Sequence, residues 1–159
     1  MLLALLIAAT PWLEMSGGPV FVGRGSASGS RGPMARIDLG VPLADRLAVE
    51  GWLSGYMSGP ARAPGDTAVM SLGAGARFLM ARFGSQTGFW AHAGAGWAPY
   101  VGYGGRSGPT AFAGALLSFQ PFLKRFSLGV EADAYVFSNI LGPDNAIALA
   151  VLPYLRCSF

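Results

Sequence analysis

The sequence has little charge, a single cysteine and no long hydrophobic run. Charged residues make up 12% of the 159 residues, which is about half the share of an ordinary soluble domain. Cys157 stands alone, so the chain can form neither an internal disulfide nor a cysteine-based metal site. The formal net charge of +3 comes from scattered arginines that form no basic run, and we therefore expect no nucleic-acid partner.

The absence of a long apolar run excludes a membrane helix. A spanning helix needs about 20 mostly apolar residues, whereas the longest apolar stretch, residues 1–13, is shorter and ends near Pro11. Yet 52% of the residues are hydrophobic and the mean hydropathy is +0.44, which argues against disorder despite 24 glycines and 11 prolines. The other way to cross a bilayer is a closed β-barrel, whose backbone hydrogen bonds are satisfied between strands.

Turn-forming segments recur along the chain at even spacing. They are residues 23–33, 42–46, 58–66, 82–88, 102–109, 121–125 and 138–145. Seven connections predict eight strands of roughly 8 to 14 residues each, close to the 9 to 11 or so of a tilted membrane strand. The odd-numbered connections are longer and rich in Gly, Ser and Pro. Long outer loops and short periplasmic turns would place both termini in the periplasm.

The segments between these turns alternate with a period of two. In Phe126–Phe137 and in Ala146–Phe159, every second side chain is apolar along one face. Helical spacing fits neither segment, so the pattern indicates β-strands.

Charges inside the strands avoid the apolar face. The candidates for an inward-facing polar network are Arg36, Asp38, Glu50, Arg77, His92, Glu131, Asp133 and Arg156. A charge that faces the bilayer midplane costs about 2 to 4 kcal/mol, which explains why one face stays uncharged. Four carboxylates then roughly balance three arginines and one histidine, and an eight-stranded barrel is filled by its own side chains. We expect a packed plug of ion pairs, with glycines 73, 75, 94 and 96 leaving room for Arg77, Trp90 or His92.

Aromatic residues are expected at both ends of the barrel, as interfacial belts. One group comprises Phe78, Phe83, Phe89, Phe119, Phe122, Phe126 and Phe159, and the other Tyr56, Trp97, Tyr100, Tyr103 and Phe137. Four loop arginines could contact lipopolysaccharide phosphates or simply keep the loops soluble: Arg24, Arg31, Arg62 and Arg106.

The N-terminal residues differ from the rest. Residues 1–9 (MLLALLIAA) are typical of the apolar region of an export signal but have no basic segment before them. Two interpretations stay open for residues 1–11, a signal-peptide remnant and an apolar extension of the first strand. Residues 12–159 form the predicted barrel.

Several phrases resemble a known family. Residues 147–159 (IALAVLPYLRCSF), with Tyr154 and the final Phe159, resemble the C-terminal assembly signal of outer-membrane barrels, and residues 71–78, 90–100 and 126–137 resemble strands of the small outer-membrane β-barrel domain family. The OmpA-like and OmpX-like proteins share this architecture. The resemblance implies an all-β, eight-stranded, antiparallel up-and-down transmembrane barrel of the bacterial outer membrane. Its expected partners are membrane lipid, lipopolysaccharide and the barrel-insertion machinery. A weaker resemblance to myxobacterial gliding-motility barrels suggests other envelope-complex proteins.

We expect a non-enzymatic barrel that acts as an envelope scaffold or as a subunit of a surface or motility assembly. Lipid A deacylases are also small barrels, but His92 lies alone between two alanines and no nucleophile is placed beside it by sequence. We therefore expect no catalytic residues, no cofactor and no metal. Two alternatives remain: a narrow pore or small-ligand carrier that uses the polar lumen, and a soluble lipocalin-like binding barrel, since parity alone does not tell which face is inside.

Overall fold

The alternating segments fold into eight strands, which we describe from a computed structural model. The structure describes residues 10–25, 28–58, 67–101, 106–121, 125–141 and 144–159. The strands are β1 (Trp12–Arg24), β2 (Arg31–Ala44), β3 (Leu47–Ser58), β4 (Thr67–Phe83), β5 (Thr87–Val101), β6 (Gly108–Phe119), β7 (Phe126–Phe137) and β8 (Ala146–Ser158). Among these residues no helix is long and apolar enough to cross a membrane.

The strands follow one another in chain order and close into a barrel. Each pairs antiparallel with the next, and β1 pairs with β8 through contacts such as Trp12 with Ser158 and Met15 with Leu155. Closure leaves no strand edge unpaired, so the backbone groups of the wall bond to one another. The predicted fold class, an eight-stranded antiparallel up-and-down barrel, is confirmed.

The connections lie at two ends of the barrel. Residues 25–30, 59–66, 102–107 and 138–145 connect strands at one end, the loop end. Residues 45–46, 84–86 and 120–125 connect them at the other, the turn end, where β1 begins and β8 finishes. The first connection is shorter than the predicted residues 23–33, because Arg31 and Pro33 already pair with β1 as Phe21–Arg31 and Pro19–Pro33 contacts. Local turn composition was overridden there by strand pairing.

Large apolar side chains cover the outer wall. They alternate with buried residues along every strand, so that β8, for example, exposes every second residue from Ile147 to Leu155. The mid-strand charges lie on the opposite face, inside the barrel. This is the reverse of a soluble binding barrel, whose outer face must carry the charge, and it disfavours the lipocalin-like alternative.

The lumen has two layers, and only one of them is polar. The ion pairs occupy the half toward the turn end. The half toward the loop end is an apolar and aromatic core that includes Val20, Val22, Met34, Tyr56, Val69, Phe137 and Ile140. Ile140 comes from the last connection and folds inward, which no strand pattern predicts. The ion pairs therefore fill only the half of the lumen toward the turn end, and an apolar layer fills the other half.

The aromatic belt predicted at the turn end is present, whereas the prediction for the loop end was partly wrong. At the turn end the phenylalanines 78, 83, 89, 119, 126 and 159 are exposed on the outer wall. At the loop end Trp97 faces outward, but Tyr56 and Phe137 are each 1% exposed and stack on one another in the lumen, with ring centroids 6.0 Å apart. The side chains of Tyr100, Tyr103 and Phe122 lie outside the described residues, as do residues 1–9, on which the signal-peptide interpretation rests.

The outward face predicts a depth-dependent cost of charge. Leu53, near the middle of β3, and Leu43, near the turn end of β2, are 44% and 41% exposed. In lipid vesicles we expect Leu53→Arg to lower the free energy of unfolding by about 2 to 4 kcal/mol, and the control Leu43→Arg by about 0 to 1 kcal/mol. Urea titration measures both. An equal loss of unfolding free energy in the two variants would mean that this face does not lie in lipid.

Candidate functional site in the barrel lumen

The most distinctive chemistry of the barrel is a cluster of charged side chains in its lumen. The structure places all eight predicted lumen residues on the inner face, and all except the partly exposed Arg156 are fully buried. Together with Glu14 of β1, which was not predicted, every strand but β6 contributes at least one charged or titratable side chain, and β6 places Phe112 and Gly114 between β5 and β7. Side chains alternate between the two faces of each strand, and only the inward face is shielded from lipid. The alternation therefore places these charged residues in the lumen.

Arg36 is the hub of the cluster. Its Nη2 donates to Asp38 Oδ1 at 2.6 Å and to Glu50 Oε1 at 3.1 Å, while its Nη1 donates to Asp133 Oδ2 at 3.3 Å. The guanidinium carbon also lies 4.1 Å from the ring centroid of Phe112. One fully buried cation thus ties β2, β3 and β7 together through donors in a fixed fork.

A second group of ion pairs is centred on Glu14. Arg77 donates to its two carboxylate oxygens at 2.6 and 3.0 Å, and Arg156 Nε donates to Oε2 at 2.8 Å. Arg77 also donates through Nε to Glu50, which links this group to Arg36. The bidentate Arg77 pair crosses the lumen from β4 to β1, so it joins strands that are not neighbours in the sheet.

Glu14 was missing from the predicted network. It lies between Leu13 and Met15, and its inward parity is the same as that of Trp12 and Ser16. The alternation rule that selects the other charges also selects Glu14, because it is an isolated charge between two apolar neighbours in the first strand. With Glu14 included, the lumen holds five carboxylates and three arginines, so the expected near balance of charge is corrected.

His92 forms a pair with Asp133. Its Nε2 lies 2.6 Å from Asp133 Oδ1, and its Nδ1 lies 3.9 Å from Glu50 Oε1. A histidine–aspartate pair is half of a nucleophile-activating set. The buried hydroxyls of Ser54 and Ser71, however, are bonded to each other at 2.9 Å, and the contacts of His92 among the described residues are with carboxylates and Phe112.

Glycines 73, 75, 94 and 96 make room for bulky inward side chains, but not for the predicted ones. A Cβ on Gly73 or Gly96 would lie 2.7 Å from the ring of Trp52, and one on Gly75 would lie 3.3 Å from Glu50 Oε1. A Cβ on Gly94 would meet the ring of Phe112. The space therefore serves Trp52, Glu50 and Phe112 rather than Arg77, Trp90 or His92.

Below the network, toward the turn end, the lumen opens into a cup. Trp12 forms its floor and stacks under two cations, with Arg77 and Arg156 guanidinium carbons 4.6 and 4.5 Å from its ring centroid. The cup has a volume of about 280 Å³ and is lined among others by Arg82, Arg125 and Ser158. It gives Arg156 its partial exposure.

The other predicted site residues lie at the two ends. Arg24, Arg31 and Arg106 are exposed at the loop end, and Arg62 lies outside the described residues. Phe159 is exposed at the turn end, whereas Tyr154 points into the lumen and is buried. Contacts to lipopolysaccharide and an assembly role stay predictions for these residues.

Comparison with solved structures identifies the class of fold. The Neisserial surface protein A superposes with a TM-score of 0.74 at 17% identity, over 94% of this chain and 97% of that one. The N-terminal β-barrel domain of Pseudomonas aeruginosa OprF gives a TM-score of 0.57 at 16% identity, over 95% and 99%. The Yersinia pestis outer membrane protein Ail, in a phospholipid nanodisc, gives 0.51 at 17% identity, over 93% and 99%. The chain therefore has the fold of the small, OmpA/OmpX-like outer-membrane barrels.

Neither family models nor curated protein sequences match the chain. The likeness to the barrels above is one of fold, at identities of 16% to 17%. The activity and the partners must accordingly be argued from the chain's own residues.

The hub role of Arg36 predicts a large loss of stability on its removal. Arg36→Met leaves the carboxylates of Asp38, Glu50 and Asp133 without their shared cation, and removal of one partner from a buried ion pair costs about 3 to 5 kcal/mol. The control Arg46→Met removes an exposed turn arginine, with an expected change within about 0.5 kcal/mol. Urea unfolding in vesicles measures both. An Arg36→Met barrel as stable as the control would show that the ion pairs do not hold the lumen together.

Proposed function

We propose that the protein is an integral barrel of the bacterial outer membrane that serves as an envelope scaffold or as a subunit of a surface assembly, without catalytic activity. The observation that supports this proposal is that the two faces of the barrel wall carry different kinds of side chain. Apolar residues cover the outside, and nine acidic or basic side chains, the eight predicted ones and Glu14, lie inside. Only a lipid environment makes that arrangement favourable over the whole circumference.

The filled lumen supports a structural role over transport. The Arg36 and Glu14 groups cross the barrel from wall to wall, and the aromatic layer of Tyr56, Tyr135 and Phe137 lies above them. A small barrel filled in this way leaves no wide channel. Planar-bilayer recordings separate the scaffold from the narrow pore: we expect no stepwise conductance, and steady single-channel steps would favour the pore.

The membrane position and the orientation follow from the same proposal. Both termini would face the periplasm, with the loop end outside the cell, where Arg24, Arg31 and Arg106 would meet lipopolysaccharide phosphates. Three exposed arginines at one end support such contacts. The narrower version, a subunit of a motility assembly, is supported by the sequence resemblance alone.

Gel mobility and fractionation test the proposal directly. A closed barrel resists SDS until it is heated. We therefore expect the protein in the outer-membrane fraction, and we expect its boiled and unboiled samples to migrate differently on an SDS gel. A soluble protein with no mobility shift would contradict the proposal. Crosslinking in intact cells, followed by identification of bound proteins, then tests the assembly role.

The proposed assembly signal gives a matched pair of variants. Phe159 and Phe83 are both exposed aromatics at the turn end, at 63% and 61%. If the C-terminal residue is read by the insertion machinery, Phe159→Ser lowers the amount of folded barrel in the membrane severalfold, while Phe83→Ser, which loses a similar apolar area, leaves it near wild type. Quantitative blots of the unboiled, folded band measure this. Equal loss in the two variants would contradict the signal.

A further inference from the structure

Glu131 is a buried acid whose carboxylate is left without hydrogen bonds. Its side chain is 0% exposed, and neither oxygen receives a hydrogen bond from any described residue. Arg36 Nη1 lies 3.7 Å from Oε2, which is too far for a hydrogen bond. A buried carboxylate costs several kcal/mol unless it is protonated, paired or bound to a cation, so Glu131 needs either a proton or a cationic partner.

The groups around Glu131 are suited to a metal ion. One ligand atom each from His92, Glu131 and Asp133 lies within 4.8 Å of the others, and the same holds for Glu14, Asp38 and Glu131. All five residues are buried. His92 of the first set also has an Nδ1 atom without a hydrogen-bond partner.

The hydrogen bonds of the second set make it the poorer site. Both oxygens of Glu14 are taken by Arg77 and Arg156. In the first set Arg36 contacts only Asp133 Oδ2 and Glu131 Oε2, which leaves Oδ1 and Oε1 for an ion. The contact of 2.6 Å between His92 Nε2 and Asp133 Oδ1 is one that a cation can replace.

The charge of the lumen agrees with a divalent ion. Five carboxylates, from Glu14, Asp38, Glu50, Glu131 and Asp133, face three guanidinium groups, from Arg36, Arg77 and Arg156. Binding of a divalent cation displaces carboxyl protons and supplies positive charge that the three guanidinium groups do not.

We propose that His92, Glu131 and Asp133 form a site for one divalent metal ion in the lumen. One imidazole and two carboxylates suit Mn²⁺, Fe²⁺ or Zn²⁺ better than Mg²⁺ or Ca²⁺, which prefer oxygen ligands alone. The site revises the expectation that the barrel holds no metal. It would act in stability, by binding β5 to β7 across β6.

Metal content of the refolded barrel tests the site. Barrel stripped with EDTA in denaturant is refolded in detergent with Mn²⁺ or Zn²⁺ as the only added metal and then desalted. We expect one ion per chain by elemental analysis and a rise in unfolding temperature over the metal-free sample. For Mn²⁺ we also expect nitrogen modulation in pulsed EPR, the signature of an imidazole ligand, which His92→Gln would remove.

Two acid-to-amide variants separate the site from nonspecific binding. Glu131→Gln should weaken metal binding by more than about 100-fold, since loss of an outer-sphere partner alone costs about 10- to 100-fold. Asp45→Asn, at an exposed turn position, should bind as the wild type does. If Glu131→Gln shows no heat-dependent mobility shift and so has not folded, Asp133→Asn takes its place. Wild-type barrel that retains no metal, or Glu131→Gln that retains as much as wild type, would overturn the site.

Discussion

Lipid excludes both unpaired backbone groups and charge, and the whole structure depends on that exclusion. Every strand must be hydrogen bonded on both sides, which β1 and β8 achieve by pairing with each other. Once the wall is closed, the alternation of side chains divides each strand into a lipid face and a lumen face. A chain with few charges can then place nearly all of its mid-strand charges in one small space, and this concentration creates the lumen network.

The network shows how such a space accommodates ionised groups. Arg36 and Arg77 each contact several carboxylates, so that one cation serves partners on different strands. Glycines at 73, 75, 94 and 96 allow Trp52, Glu50 and Phe112 to lie close over the neighbouring strands. Among the described carboxylates and the histidine of the network, atoms without a hydrogen-bond partner remain at Glu131, at His92 Nδ1 and at Asp38 Oδ2.

The sequence predicted the fold and most of the site, because both follow from a period of two. Strand number, closure, the lipid face and eight of the nine inward charges could be predicted from alternation and turn composition. What alternation does not determine is how far a side chain reaches inside the barrel. The belt prediction for Tyr56 and Phe137 was wrong because it set alternation aside: they share the inward parity of Glu50 and Asp133, and they stack in the lumen. The inward fold of Ile140, in contrast, depends on loop packing. The partnering of each carboxylate depends on distances across the lumen.

The central claim is that the outer wall contacts lipid and the lumen does not, and the tryptophans test it most directly. Trp97 is 49% exposed on the wall, whereas Trp52 is 4% exposed in the lumen. In vesicles of lipids brominated on the acyl chains, a barrel that keeps only Trp97, the other three tryptophans being replaced by phenylalanine, should lose most of its fluorescence. The matching barrel that keeps only Trp52 should lose little. Equal quenching, or stronger quenching of Trp52, would contradict the account.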